Sequence, residues 1–117
     1  SPFRYYIDSR SLSYNPIDGV VRYTLVIRSS KGGENVAFEG MRCNAREYKV
    51  YALGNGRGKL RPHPNPRWKM IAETGYTRYR TDLARNYLCS AKLETMDREQ
   101  ILRNIRYGLD SKDTLYH

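Results

Sequence analysis

A chain of 117 residues is long enough for one domain with a core and too short for two ordinary ones. Lys and Arg number 21 against 12 Asp and Glu, a formal net charge of +9, and Arg outnumbers Lys 15 to 6. No run of about 18 apolar residues occurs, which excludes a membrane-spanning helix within this sequence. The guanidinium excess suits phosphate and carboxylate and stacks on rings, so the surface is expected to attract polyanions: nucleic acid, anionic lipid or anionic glycan. The bland alternative is a well-solvated basic surface with no specific ligand. The low apolar fraction of 39% is helped by 11 tyrosines, which bury a ring and keep a polar tip. No signal peptide is visible, and the chain starts abruptly at Ser1-Pro2-Phe3, as a mature or trimmed chain does.

Phe3–Ile7 begins as a strand and passes into polar turn chemistry at Asp8-Ser9-Arg10-Ser11. Asn15-Pro16-Ile17-Asp18-Gly19 is a turn. Val20–Arg28 is the clearest strand: Val21, Tyr23, Leu25 and Ile27 share a face expected to meet the core. The opposite face carries Arg22 and Arg28 and is half solvated. Ser29–Gly33 connects to two further strands, Asn35–Cys43 and Arg46–Leu53, whose short link suits antiparallel pairing. Gly40 in mid-strand predicts a bulge or a close approach by another element. The glycines between Gly54 and Lys59 fail the phosphate-loop pattern and read as a hairpin tip. Arg61–Pro66 should be extended, and Arg67–Ile71 is a short strand with Trp68 and Met70 on one face.

Tyr76, Tyr79, Leu83 and Tyr87 repeat at helical spacing and predict a helix over Thr77–Cys89. Asp97–Leu109 is a second helix, with Asp97 as cap, Gln100 three residues on, and Ile101, Leu102, Ile105 and Leu109 as its stripe. Strands followed by helices predict an α+β fold, an antiparallel sheet of about five strands covered on one face by one or two C-terminal helices. The single domain is expected over residues 1–109, with 110–117 as a flexible tail. Cys43 lies in the sheet and Cys89 ends the first helix, so a Cys43–Cys89 disulfide would clamp the two and point to an oxidising compartment. The alternative is two unrelated buried thiols.

The chemistry-bearing residues are few. The histidines are His63 and His117, and no paired Cys-x-x-Cys occurs, so no metal and no cofactor is expected. A Cys–His pair with His63 would be silenced by the disulfide. Glu39 and Glu47 could face each other across a hairpin, yet basic neighbours stand at Arg42, Arg46 and Lys49, so surface ion pairs are the plainer reading. A nucleic-acid hydrolase using His63 and Glu47 is the enzymatic alternative. Arg and Tyr interleave at Arg4-Tyr5-Tyr6, Arg22-Tyr23 and Tyr76–Arg80, as single-strand binders require. No RNP1, KH or helix-turn-helix signature accompanies them.

The run Asn35–Cys43 followed by Arg46–Ala52, together with Pro66-Arg67-Trp68, Tyr79–Leu83 and Tyr87-Leu88-Cys89, resembles the CNP-one-like family of small exported bacterial proteins. The similarity covers roughly Phe3 to Cys89. The resemblance implies a precursor with a signal peptide or lipoprotein signal and an envelope location, and it brings no catalytic residues with it. The reading that follows is a non-enzymatic periplasmic or outer-membrane-attached domain. It is expected to bind an anionic glycolipid or glycan, or an envelope protein, through Arg42, Arg46, Lys49, Arg67, Lys69, Arg78 and Arg80. The alternative is a single-stranded nucleic-acid (RNA) binding or processing protein.

Overall fold

The β-branched and aromatic alternation of Val20–Arg28 makes a strand at the heart of the sheet. In the computed structural model, which describes residues 3–72 and 78–107, this strand is β2 (Val20–Ser29). It is flanked antiparallel by β1 (Phe3–Asn15) and β3 (Glu34–Arg42). Strand β4 (Glu47–Gly54) pairs with β3 after a 3-10 turn at Cys43–Ala45. Two short pieces, β5 (Arg61–Pro62) and β6 (Lys69–Met70), share the far edge of β4. The fold is therefore α+β, as expected, with an antiparallel meander of consecutive strands. The turns use the expected chemistry. Asn15 Oδ1 accepts from the Ile17 N–H and Asp18 Oδ1 from the Val20 N–H, and Gly19 closes the loop at φ 68°.

The polar run at Asp8–Ser11 does not end β1. The β1–β2 register shifts between Asp8 and Ser13, and the strand resumes to Asn15. Within this bulge the Arg10 N–H donates to Asp8 Oδ1. The Ser11 hydroxyl donates to the Asp8 carbonyl and accepts from the Thr24 N–H. Short polar side chains thus replace the ladder bonds the bulge forfeits, so turn chemistry is absorbed inside a strand.

One sheet face is the core. Ile7, Val21, Tyr23, Leu25 and Met41 are fully buried there against Leu83, Leu88 and Ile101 from the helices. The first helix departs from the single element expected over Thr77–Cys89. Helix α1 covers Tyr79–Leu83, and Ala84–Leu88 winds as a π turn ending with the Cys89 N–H donating to the Ala84 carbonyl. Leu83 and Tyr87 still face the core, as their spacing requires. Helix α2 (Arg98–Tyr107) is capped by Asp97 Oδ1, which accepts from the Gln100 N–H. The Gln100 side chain turns away from the cap to Asn104 and Arg103. Tyr76, Leu109 and the tail at 110–117 lie outside the described residues. Cys43 and Cys89 form the expected disulfide, with an S–S distance of 2.07 Å.

Gly40 is required by a close approach. The β3–β4 register shifts between Phe38 and Glu39, leaving Tyr51 as an extra residue in β4. A Cβ on Gly40 would stand 3.0 Å from the Tyr51 ring and from Val20 Cγ1. Gly40→Ala is therefore expected to destabilise the fold by about 1 kcal/mol or more, at the low end for overpacking because Tyr51 can partly yield. Urea unfolding of the variant checks this, and an unchanged midpoint would show that the ring moves freely.

Candidate functional site

The residues alternating with the core stripe build a second sheet face. Arg22, Thr24, Val26 and Phe38 stand on it, all half-buried, and the buried residues of the described helices belong to the opposite side. The bulge in β4 turns Tyr51 over Gly40 and places its ring 5.7 Å from that of Phe38. Trp68, immediately before β6, joins the same face. The Arg42 guanidinium lies 4.1 Å from the Trp68 ring centroid and the Lys49 ammonium 5.6 Å from it. Lys49 and Arg22 also stand 5.5 Å and 5.6 Å from the Tyr51 centroid. Farther along, Arg28 covers Tyr6 at 5.0 Å. Aromatic faces paired with cations therefore run across the open side of the sheet.

Ion pairing shapes the charge of this face. Arg22 bonds Asp18 at 2.8 Å, Arg28 bonds Glu34 at 2.7 Å, and Arg42 bonds Glu47 at 2.6 Å. The Arg22 hydrogen bond holds the Asp18 carboxyl below its ordinary value. By contrast Arg46, Lys49, Arg67, Lys69 and Arg78 make no ion pair with a described residue. Positive charge with no ion-pair partner among the described residues thus gathers at the β4–β6 end of the sheet, around Trp68.

The expected anion-binding residues divide by place. Arg42 and Lys49 flank Trp68 on the open face; Arg67 and Lys69 are exposed beside it in the chain. Arg46 is exposed at the end of the 3-10 turn, and Arg78 is exposed just before α1. Arg80 points the other way. It is 6% exposed and donates from Nε and Nη2 to Glu39, which is 0% exposed. Its guanidinium is sandwiched between the rings of Tyr48 and Tyr79, at 3.9 Å and 4.7 Å. The Tyr23 hydroxyl donates to the same carboxylate. Burial opposes the Arg80 charge, and Glu39 outweighs that cost, holding the guanidinium above its ordinary pKa. Burial, reinforced by the nearby Glu39 charge, pushes the Tyr23 hydroxyl well up. Arg80 and Glu39 are thus a buried ion pair inside the helix–sheet interface and present no charge to a ligand.

The residues weighed for catalysis are otherwise engaged. Glu47 is held by Arg42. The His63 N–H donates to the Tyr51 carbonyl, and His63 Nδ1 accepts from the Asn65 N–H, which folds the proline-rich loop locally. Both cysteines are oxidised, so neither supplies a thiolate. The alternation of β2 puts Arg22 and Arg28 on the solvated face, but residue types alone do not single out Tyr51, Phe38 or Trp68 beside them. Gly40 was the available signal, because a mid-strand glycine marks where a ring comes down.

No curated protein and no solved structure matches the chain. The aromatic and basic face, the buried ion pair and both cysteines all fall within residues 1–106, which match the model of the CNP1-like family, and the chain belongs to that family.

Proposed function

We propose that the protein is a binding domain of the bacterial envelope whose open sheet face takes an anionic glycan. One observation carries the reading: cations stacked on the rings of Trp68 and Tyr51, among them Lys49, which makes no ion pair with a described residue, on a sheet face that no described helix covers. Sugar rings offer apolar C–H faces to aromatic side chains, while uronate or phosphate groups meet the cations. The disulfide supports an oxidising compartment such as the periplasm, where such glycans occur. The neighbouring arginines that are already ion-paired act as a rigid frame, and the charge for the ligand comes from Lys49, Arg67 and Lys69, which make no ion pair with a described residue.

Trp68 is the chain's single tryptophan, so its fluorescence reports the face directly. A uronic-acid oligosaccharide is expected to change that emission saturably, and raised salt should weaken binding because exposed charges are screened. Lys49→Gln or Lys69→Gln should each weaken binding by about two- to fivefold, the range for exposed charges. Trp68→Ala, followed by calorimetry, should weaken it by about tenfold or more as the central aromatic contact. A neutral oligosaccharide binding equally well would sink the reading. The second reading, a single-stranded nucleic-acid binder, is favoured by the same rings on an open antiparallel sheet, on which bases could stack. A single-stranded oligonucleotide that outcompetes the uronate at equal salt would replace the glycan with it.

A further inference from the structure

A second site stands apart from the Trp68 face. Between β6, the π turn and the bend at Ser90–Leu93 lies a groove of about 580 Å³, within the roughly 300–1,000 Å³ range of small-molecule pockets. The Cys43–Cys89 bridge, Ile71 and Ala84 form apolar wall, and Met70 and Leu93, 64% and 38% exposed, extend it toward solvent. Exposed apolar side chains gathered along one groove need an occupant more than the same residues scattered singly do. Arg46 and Arg85 border it, both exposed and neither ion-paired to a described residue.

The backbone is irregular here as well. Among the described residues the non-glycine positions at positive φ are Arg46 at 54° and Leu93 at 62°, and both line this groove. Such conformations are disfavoured for a long or branched side chain and cluster at ligand sites. The π turn lends Ala84 and Arg85 to the same wall, and π turns also concentrate at functional positions.

We propose that this groove binds an anionic amphiphile, a single alkyl chain bearing a carboxylate or phosphate head. The chain lies over Met70, Ile71 and Leu93, and the head is held between Arg46 and Arg85, whose planar forks suit either acid. This site is independent of the glycan reading of the Trp68 face.

The test titrates the full-length chain calorimetrically with dodecanoate and with dodecyl phosphate, each below its micelle concentration, beside 1-dodecanol. At least one acid should bind saturably at one per chain, and the alcohol at least tenfold more weakly; the tighter acid identifies the head group. Arg46→Gln and Arg85→Gln should each weaken the preferred acid by about tenfold, the loss expected for a charge-assisted hydrogen bond. Met70→Asp should weaken it comparably at an unchanged melting temperature, since Met70 is largely exposed. Trp68→Ala should leave it unchanged. The proposal is overturned if neither acid saturates, if the alcohol binds equally, or if the Arg46→Gln/Arg85→Gln double variant keeps the affinity.

Discussion

Arg80→Met is expected to cost about 3–5 kcal/mol of folding stability, because removing one member of a buried ion pair strands the other. Glu39 is fully buried and would keep, among the described residues, the Tyr23 hydroxyl as its side-chain donor. The substitution also empties the slot between the Tyr48 and Tyr79 rings of its cation. Glu39→Gln should be similarly severe, since it leaves an Arg80 charge with a neutral partner in an interface. Against a typical total of about 5–15 kcal/mol, either change threatens the fold outright. The mechanism has its own control. Glu39→Leu/Arg80→Met/Tyr23→Phe removes these three hydrogen-bonded polar groups together, and it should be markedly more stable than either single charge removal. Urea unfolding of the set decides it. A single variant near wild-type stability would mean that water reaches the pair and solvates the survivor.

The Cys43→Ala/Cys89→Ala double variant is expected to lose about 4 kcal/mol, the chain-entropy value for a bridge closing a loop of this length. The two residues are 46 apart in sequence, so the reduced chain regains freedom over the segment holding β4, β5, β6 and α1. Both cysteines pack in the core, which makes alanine a fairer replacement than serine, whose hydroxyl would be buried there. Unfolding with and without a thiol reductant should reproduce the difference in the wild-type chain. The variant should also unfold with a larger m-value, because its denatured state is less compact. A loss below about 1 kcal/mol would show that the packing of Leu83, Tyr87 and Leu88 holds helix to sheet without the bridge.

Period-2 alternation and turn residues made the sheet legible: β2, its two faces and the turns on either side follow from residue types with short-range effects. The disulfide was legible because two cysteines fell on elements that had to pack together. What escaped depended on long-range pairing. Asp8–Ser11 looks like a chain reversal, and only the partner strand, which supplies the Thr24 N–H to Ser11, turns it into a bulge. The π turn at Ala84–Leu88 leaves no mark in spacing, since Leu83 and Tyr87 stay on the buried side.

Arg80 is the instructive case for the site. Its composition argued for a surface cation, yet it stands three residues before Leu83 and seven before Tyr87, on the buried face of the helix. Glu39 likewise shares the core face of β3 with Ala37 and Met41. Two opposite charges, each on the wrong face of its own element, are a sign of a buried pair. Trp68 followed the reverse logic. It stands just before the two-residue β6, where alternation fixes no face, and the stacking of Arg42 and Lys49 assigns it to the open side of the sheet.

The most direct test of the proposed glycan-binding face is amide and indole chemical-shift mapping of the isotope-labelled chain during titration with a uronic-acid oligosaccharide. The expected result is a saturable set of shifts at the Trp68 indole N–H and at Lys49, Tyr51, Arg67 and Lys69, weakened by salt and absent around α2. Shifts confined to the helix side, or a Trp68 indole signal that stays fixed while the ligand saturates elsewhere, would contradict it.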